Sequence, residues 1–296
     1  MPSHREKVWT VLSMLEWATS YFEKKSVANP RLSIEWLLAE VLEIKRLDLY
    51  LKYDRPLTPT ELDRLRPMVN RRGKHEPLQY IIGYTDFMDC RIDVSPDVLI
   101  PRTETEQLVE LILENHAGQP VSDLSLLDIG TGSGCIPAAI KKARPGWSCT
   151  GIDYSEKALK LAGKNMQANN VQVELLKMDL LALESASQFR NTRFDLITAN
   201  PPYIYPSEKQ SMDKEVLDFE PPEALFHENP VELYKSIGDF ARTHLTSSGM
   251  LYLECNDKIT QNIVQFLDGH FSTVAIYKDY DNRDRFIKAG HSHPPG

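Results

Sequence analysis

The chain predicts an α/β fold, a mostly parallel, doubly wound sheet preceded by a small helical bundle. Three observations carry that expectation. From about residue 99, short apolar runs alternate with amphipathic helical stretches, the pattern of βαβ units with helices on both faces of a sheet. Residues 1–75 instead repeat apolar side chains at helical spacing. Residues 76–98 are rich in strand formers broken by turn residues. The expected organisation is a helical domain over 1–75, a β-hairpin linker over 76–98 and an α/β domain over 99–296.

In the first region, Val8, Leu12, Leu15 and Trp17 through Phe22 recur at helical spacing. Asn29-Pro30 places a capping residue before a proline at the first helical position and opens a helix over Leu32 to Ile44. Thr58-Pro59-Thr60-Glu61 reads as a capping box, and Gly73 as the end of that helix. Trp9, Trp17 and Trp36 sit among aliphatic residues and are expected in the core. Arg64, Arg66, Arg71, Arg72 and Lys74 form the densest basic run. It reads either as a solvated helix face or as a docking surface for an acidic partner or ribosomal RNA. In the linker, Tyr80, Ile81, Ile82, Phe87, Ile92 and Val94 are strand formers, interrupted by Gly83 and the Asp86/Asp89 region.

In the α/β region the expected strands are Leu124–Ile129, Ser148–Asp153, Val171–Met178, Phe194–Ala199 and Met250–Glu254. The expected helices are Glu104–Asn115, Ile136–Ala143, Glu156–Asn169 and Val231–Leu245. Thr273–Tyr280 and Arg285–Ala289, split by Asp281-Asn282, read as an antiparallel hairpin.

Composition narrows the function classes. No apolar run approaches the roughly 18 residues of a membrane span, and the first residues lack a secretory apolar stretch. Cys90, Cys135, Cys149 and Cys255 are scattered, without a CxxC pair. Neither a zinc site nor a disulfide framework is expected, and a reducing cytoplasm fits. The eight histidines form no ligand pair, so no metal is expected. A net charge of −8 argues against stable binding of duplex nucleic acid. The charge is uneven, +3 over residues 1–85 and −11 over the remainder.

Two motifs carry chemistry. Leu127-Asp128-Ile129-Gly130-Thr131-Gly132-Ser133-Gly134 joins a strand to its helix. Glycines there let the backbone turn sharply and approach a ligand. The spacing is GxGxG, of the kind that receives S-adenosylmethionine, and differs from the GxGxxG dinucleotide fingerprint. Gly130, Thr131, Gly132, Ser133 and Gly134 are therefore candidate cofactor contacts. Asp153 ends the second strand, 19 positions after Gly134, where an acid can accept from ribose hydroxyls. The competing reading makes Asp153 a cap for the helix that follows. Asp179 and Leu180 end the third strand, where a polar and an apolar group could hold an adenine.

The second motif is Asn200-Pro201-Pro202-Tyr203, at the end of the apolar run Phe194–Ala199. An amide or aromatic amine is a poor nucleophile because its lone pair is delocalised. A site that methylates one must aim that lone pair at the methyl donor. The Asn200 side-chain oxygen can accept one N–H of a planar NH2 group, and the Pro201 carbonyl the other. Pro201 and Pro202 have fixed φ and no N–H, and Tyr203 can lie against the flat face. Two acceptors on the NH2 also favour the positive charge that develops on nitrogen. Asn200, Pro201, Pro202 and Tyr203 are the candidate catalytic and substrate-binding residues, with Asn200 also beside the cofactor.

With these motifs in view, the chain resembles the release factor glutamine methyltransferases over nearly its whole length. The resemblance includes the helical first domain, Glu76-Pro77-Leu78-Gln79-Tyr80-Ile81-Ile82-Gly83, and Ile100-Pro101-Arg102-Thr103-Glu104-Thr105-Glu106. It also includes the loop Asp128 to Gly134, Asn200 to Tyr203, and Lys278-Asp279-Tyr280-Asp281-Asn282-Arg283-Asp284-Arg285. The Pro-Arg-x-Glu-Thr-Glu motif is the distinguishing one, because Asn-Pro-Pro-Tyr is shared with nucleic-acid methyltransferases.

The resemblance implies a seven-stranded, Rossmann-like class I methyltransferase domain after a helical substrate-recognition domain. It implies methyl transfer from S-adenosylmethionine to the side-chain amide nitrogen (N5) of the glutamine in the Gly-Gly-Gln motif of peptide chain release factors. It further implies a cytoplasmic monomer whose partner is the release factor. The alternative is methylation of an exocyclic amine on a DNA or RNA base. Thr103 stands where the family has proline, and Thr103 with Glu106 is expected to cap the helix there. Glu104 and Glu106 read equally as favourable charge at a helix N-terminus or as groups near cofactor or substrate.

Overall fold

The computed structural model describes residues 8–117, 123–185 and 187–291. The chain divides into two units, Met1–Gly83 with Asp213–Phe219, and Tyr84–Met212 with Glu220–Gly296. No helix among the described residues is long and apolar enough to cross a membrane.

The first unit is helical: α1 (Val11–Lys24), α2 (Pro30–Leu42), a 3-10 turn (Arg46–Lys52), α3 (Pro59–Arg72) and α4 (Leu78–Ile82), with α8 (Lys214–Phe219) added from later in the chain. Thr58 and Glu61 form the expected capping box at the start of α3, and Gly73 is the residue that ends it. A Cβ at Gly73 would lie 2.7 Å from the Tyr21 hydroxyl, so the residue also makes room for α1. Asn29 precedes Pro30 as expected, but in the left-handed region (φ 48°), and its side chain caps nothing. The core is aliphatic: Leu15, Phe22, Ile34, Leu37, Leu38 and Leu49 are fully buried. The tryptophans lie at its margin. Trp17 is 45% exposed and stacks on Tyr21, with Trp9 edge-on.

Of the basic run, Arg72 is internal, whereas Arg64, Arg66, Arg71 and Lys74 are exposed. Arg72 is buried, donating to Ser33 Oγ, Ala28 O and Glu76 O and pairing with Glu215 at 2.8 Å. Arg71 pairs with Glu76, Arg64 with Glu43 and Arg66 with Asp63. Leu78–Ile82, expected as strand, is a single helical turn that Gly83 stops at φ 97°. Tyr80 and Ile81 are buried there, so packing overrides their strand propensity.

The second unit opens with the antiparallel pair β1 (Tyr84–Phe87) and β2 (Cys90–Asp93). It continues through α5 (Thr103–Asn115), β3 (Ser125–Ile129), α6 (Cys135–Ala143), β4 (Ser148–Asp153), α7 (Glu156–Ala168), β5 (Glu174–Lys177) and β6 (Phe194–Ala199). After the short α9 (Pro222–Leu225) come α10 (Pro230–His244), β7 (Leu245–Glu254), α11 (Thr260–Asp268), β8 (Thr273–Lys278) and β9 (Asp284–Gly290). The seven-stranded sheet runs β5-β4-β3-β6-β7-β9-β8, parallel from β5 to β7, with β9 antiparallel to both its neighbours. The strand order reverses between β3 and β6, which leaves a crevice at their carboxyl ends. Both motifs lie at that edge. Leu127, Ile129, Ile197, Leu251 and Ile287 fill the core beneath it. The expected tail hairpin is present, and α11 is an element that sequence reasoning missed.

Candidate active site

A cleft of about 350 Å³ opens at the carboxyl ends of β3, β4 and β6. Gly130, Thr131, Gly132, Ser133, Asp153, Asp179, Leu180, Asn200, Pro201 and Pro202 all line it. Gly134 and Tyr203, the remaining candidates, do not.

The three glycines have positive φ of 74°, 54° and 77°, which favours glycine at each. Their surroundings differ. A Cβ on Gly130 would meet nothing within 4 Å, and one on Gly132 only the Gly130 carbonyl at 4.0 Å. These two present bare backbone to the cleft. A Cβ on Gly134 would lie 2.5 Å from Met166 Cε and 3.1 Å from Ala162 Cβ. Gly134 therefore serves the packing of α6 on α7.

Asp153 joins strand to loop. Its Oδ2 accepts from Gly132 N–H and its Oδ1 from Ser155 N–H, each at 2.9 Å. Ser155 itself caps α7, so Asp153 does not act as the cap. Burial raises the Asp153 pKa, with the Ser155 and Gly132 N–H groups opposing. Asp179 Oδ1 accepts from Leu181 N–H and turns the chain at the end of the third strand. The exposed Tyr154 ring and Val98, Leu99 and Phe226 complete the walls, and nothing in their sequence spacing marked them.

Beneath the glycine loop, Asp128 is 1% exposed, and neither oxygen has a hydrogen-bond partner among the described residues. Burial pushes its pKa up to about 7, with the nearby Thr131 hydroxyl pulling the other way. A raised folded-state pKa means that the folded protein holds a proton the unfolded chain releases. Stability from this group is full below about pH 4 and declines as pH rises to about 7. Asp128→Asn is expected to raise the ligand-free melting midpoint at pH 8 by roughly 5 °C and to leave it nearly unchanged at about pH 4. Melting curves of both proteins at the two pH values check this; an equal shift at both would rule out ionisation as the cause.

The Pro-Arg-x-Glu-Thr-Glu segment is a set of tethers. Arg102 Nη2 donates to Glu220 Oε1 at 2.5 Å, and Ile100 N–H donates to Glu220 Oε2. Glu220 is buried. Glu106 accepts from Met88 N–H, so it is not free to complete a capping box; Thr103 is the first helical residue after Arg102, and no side chain caps α5. Thr105 is buried, donating to Glu254 Oε2 at 2.8 Å and accepting from Asn200 Nδ2 at 3.2 Å.

After Asn200-Pro201-Pro202-Tyr203, Ile204 N–H donates to Leu225 O and His227 N–H to Ile204 O, which anchors the loop's exit. Tyr203 packs against the core, and its hydroxyl donates to Glu254 Oε1 at 3.4 Å. Glu254 is fully buried, and burial pushes its pKa up to about 7 against the Thr105 hydroxyl and Arg285. Arg285 is held by Asp279 and donates to Cys255 O, and Tyr280 docks on Gln107 and Glu110 of α5. The resemblance segment at the tail thus ties the end of β7 to α5. Glu254 was outside the sequence-based site; its signal, a carboxylate ending an otherwise apolar strand, was present.

Two family models match the chain, the PrmC N-terminal domain over residues 13–83 and the methyltransferase small domain over residues 103–218. A release factor glutamine methyltransferase of Chlorobaculum tepidum is 36% identical over 285 residues, covering 95% of this chain and 97% of the relative. One of Geobacter sulfurreducens is 37% identical over 255 residues, covering 85% and 86%. Among solved structures, a T. thermophilus 16S rRNA N2 methyltransferase in complex with AdoMet and guanosine has a TM-score of 0.53 at 18% identity, over 71% of this chain and 50% of that one. The catalytic domain of hMettl16 also scores 0.53, at 14% identity, over 81% and 86%. At such identities the two structures share the fold alone. The sequence matches extend over both units, and the chain belongs to the release factor glutamine methyltransferase family.

Proposed function

We propose that Asn200 and the Pro201 carbonyl hold the side-chain amide of the glutamine in the Gly-Gly-Gln loop of a peptide chain release factor, with its nitrogen facing a bound methyl donor. The activity itself follows from family membership: the chain is an S-adenosylmethionine-dependent methyltransferase acting on the side-chain amide nitrogen of glutamine in release factors. S-adenosylmethionine supplies an electrophilic methyl group on a positively charged sulfur.

The residues present fit that cofactor. Gly130 and Gly132 offer unobstructed backbone, and Asp153 and Asp179 bring carboxylates to the cleft walls. Asp153 Oδ1 and Oδ2 each accept one backbone N–H and retain capacity for a hydroxyl. Leu180 and the Tyr154 ring offer apolar surface for a flat base.

The observation that carries the reading is the commitment of the Asn200 NH2 to Thr105. The side-chain carbonyl of Asn200 is left as an acceptor beside Pro201 and Pro202 at the cleft wall. A primary amide offers two N–H donors in one plane, and two acceptors hold it against rotation. That grip orients the nitrogen lone pair and stabilises positive charge as the methyl arrives. The nitrogen then loses a proton to water. Tyr203 serves by anchoring the loop to Glu254.

The reading extends to the partners. The helical unit recognises the body of the release factor, and the enzyme works as a cytoplasmic monomer without stable nucleic-acid binding. The net charge of −8 and the ion pairs that engage Arg64, Arg66, Arg71 and Arg72 support that view. Incubation with labelled S-adenosylmethionine and unmethylated release factor, followed by mass spectrometry, tests it. Label is expected on the Gly-Gly-Gln glutamine. Label on added RNA or DNA instead would remove the protein substrate from the proposal.

A further inference from the structure

We propose that Thr105 and Glu254 form a buried positioning relay that fixes which way the Asn200 amide faces. The inference deepens the proposed function and rests on it for its catalytic consequence. An asparagine side chain presents nearly the same shape when its oxygen and nitrogen exchange places, so something must choose between the two. Sterics cannot; hydrogen-bond polarity can.

The choice is made two steps away. Glu254 is fully buried, and in its ionised form it accepts only. It takes the Thr105 hydroxyl proton on Oε2 and the Tyr203 hydroxyl proton on Oε1. A threonine hydroxyl has one proton. Once that proton points at Glu254, the Thr105 oxygen can offer Asn200 a lone pair alone. The Asn200 NH2 must then face Thr105, as the 3.2 Å contact shows, and its carbonyl must face the other way. Acceptor character thus passes from Glu254 through Thr105 to Asn200 and sets the polarity of the substrate grip.

The residues come from three places that share no local sequence: the first turn of α5, the carboxyl end of β6 and the carboxyl end of β7. Thr105 and Glu254 are 149 positions apart. The backbone holds the far end as well, because the Tyr234 hydroxyl donates to Glu254 O at 2.7 Å. Thr105 and Glu254 act through Asn200.

Thr105→Val keeps the shape and removes the hydroxyl, and Thr105→Ser restores it. The Val variant is expected to lower kcat on release factor by roughly 10- to 100-fold, with S-adenosylmethionine affinity within threefold and a melting midpoint lowered by only a few degrees. The Ser variant is expected to recover most of the lost kcat. A Val variant within twofold of wild type, or a Ser variant as slow as Val, would overturn the relay's catalytic role.

A second readout does not depend on the substrate. In nitrogen-15 spectra the Asn200 side-chain NH2 should exchange slowly with water in wild type and in the Ser variant, and quickly in the Val variant. Equal exchange in all three would overturn the relay itself. Wild-type protein that places no label on the glutamine would defeat the proposed function while leaving the exchange experiment to judge the relay.

Discussion

Asn200→Ala is expected to reduce methyl transfer to release factor by at least about 10³-fold while leaving the fold intact. The magnitude follows from what the side chain does. Removing one preorganised hydrogen-bonding group from a catalytic site costs about 10² to 10³ in rate, and here the same group also aligns the nucleophile. The fold should tolerate the change because Asn200 is only partly buried and its NH2 has one protein contact, to Thr105. Thr105 keeps its bond to Glu254 when Asn200 is truncated. Single-turnover kinetics with labelled cofactor, alongside a melting curve, decide the matter. A variant that keeps a tenth of the wild-type rate would mean that the amide is oriented by other groups. A variant that melts far below wild type would move the effect from chemistry to structure.

The second large effect lies in the helical unit. Replacing Arg72 by Ala is expected to destabilise it by about 3–5 kcal/mol, the cost of breaking a buried ion pair from one side. The guanidinium satisfies two backbone carbonyls, at Ala28 and Glu76, as well as Ser33 Oγ, and it pairs with Glu215. Truncation leaves all four groups without their cation in a place that water reaches poorly. Urea unfolding followed by tryptophan emission reads this directly, because Trp9, Trp17 and Trp36 belong to that unit and Trp147 alone to the other. Arg72→Lys should recover part of the loss, since an ammonium keeps the charge without the planar fork. An Ala variant with an unchanged urea midpoint would show that Arg72 is not the keystone of the unit.

Arg72 also marks where the sequence was hard to read. Five basic residues within eleven positions look alike in one dimension, and both readings of that run treated it as a surface. Burial of one member depends on Ser33, Ala28 and Glu215, which lie 39, 44 and 143 positions away. Local pattern served well where local forces rule. The strands Ser148–Asp153 and Phe194–Ala199 appear with the expected bounds, because each is an apolar run between turn residues. The Thr58 capping box was legible for the same reason. Helix α11 was not. Its N-cap is Ile259, with no side-chain bond, and Thr260-Gln261-Asn262 opens it with polar residues.

The active site divides along the same line. The glycine loop and Asn200-Pro201-Pro202 were readable because each is a contiguous motif at a strand end, and the cleft gathers them. Gly134 and Tyr203 belong to the same motifs, yet one packs under α7 and the other turns toward Glu254. A motif specifies a backbone path; which of its side chains face the ligand depends on neighbours supplied by the fold. Thr105 and Glu254 show the converse, a contact made wholly by topology.

The passage of residues Asp213–Phe219 from one unit into the other bears on how the chain can be taken apart. The backbone crosses between the units three times, after Gly83, after Met212 and after Phe219. An expression clone that begins at Tyr84 would still carry Glu215, now without its arginine, and one that stops at Gly83 would bury Arg72 without its acid. The enzyme has two cores, and the helical one is built from two separate pieces of chain. Protein engineers who wish to exchange its helical unit with that of a relative must therefore transplant two pieces of chain together.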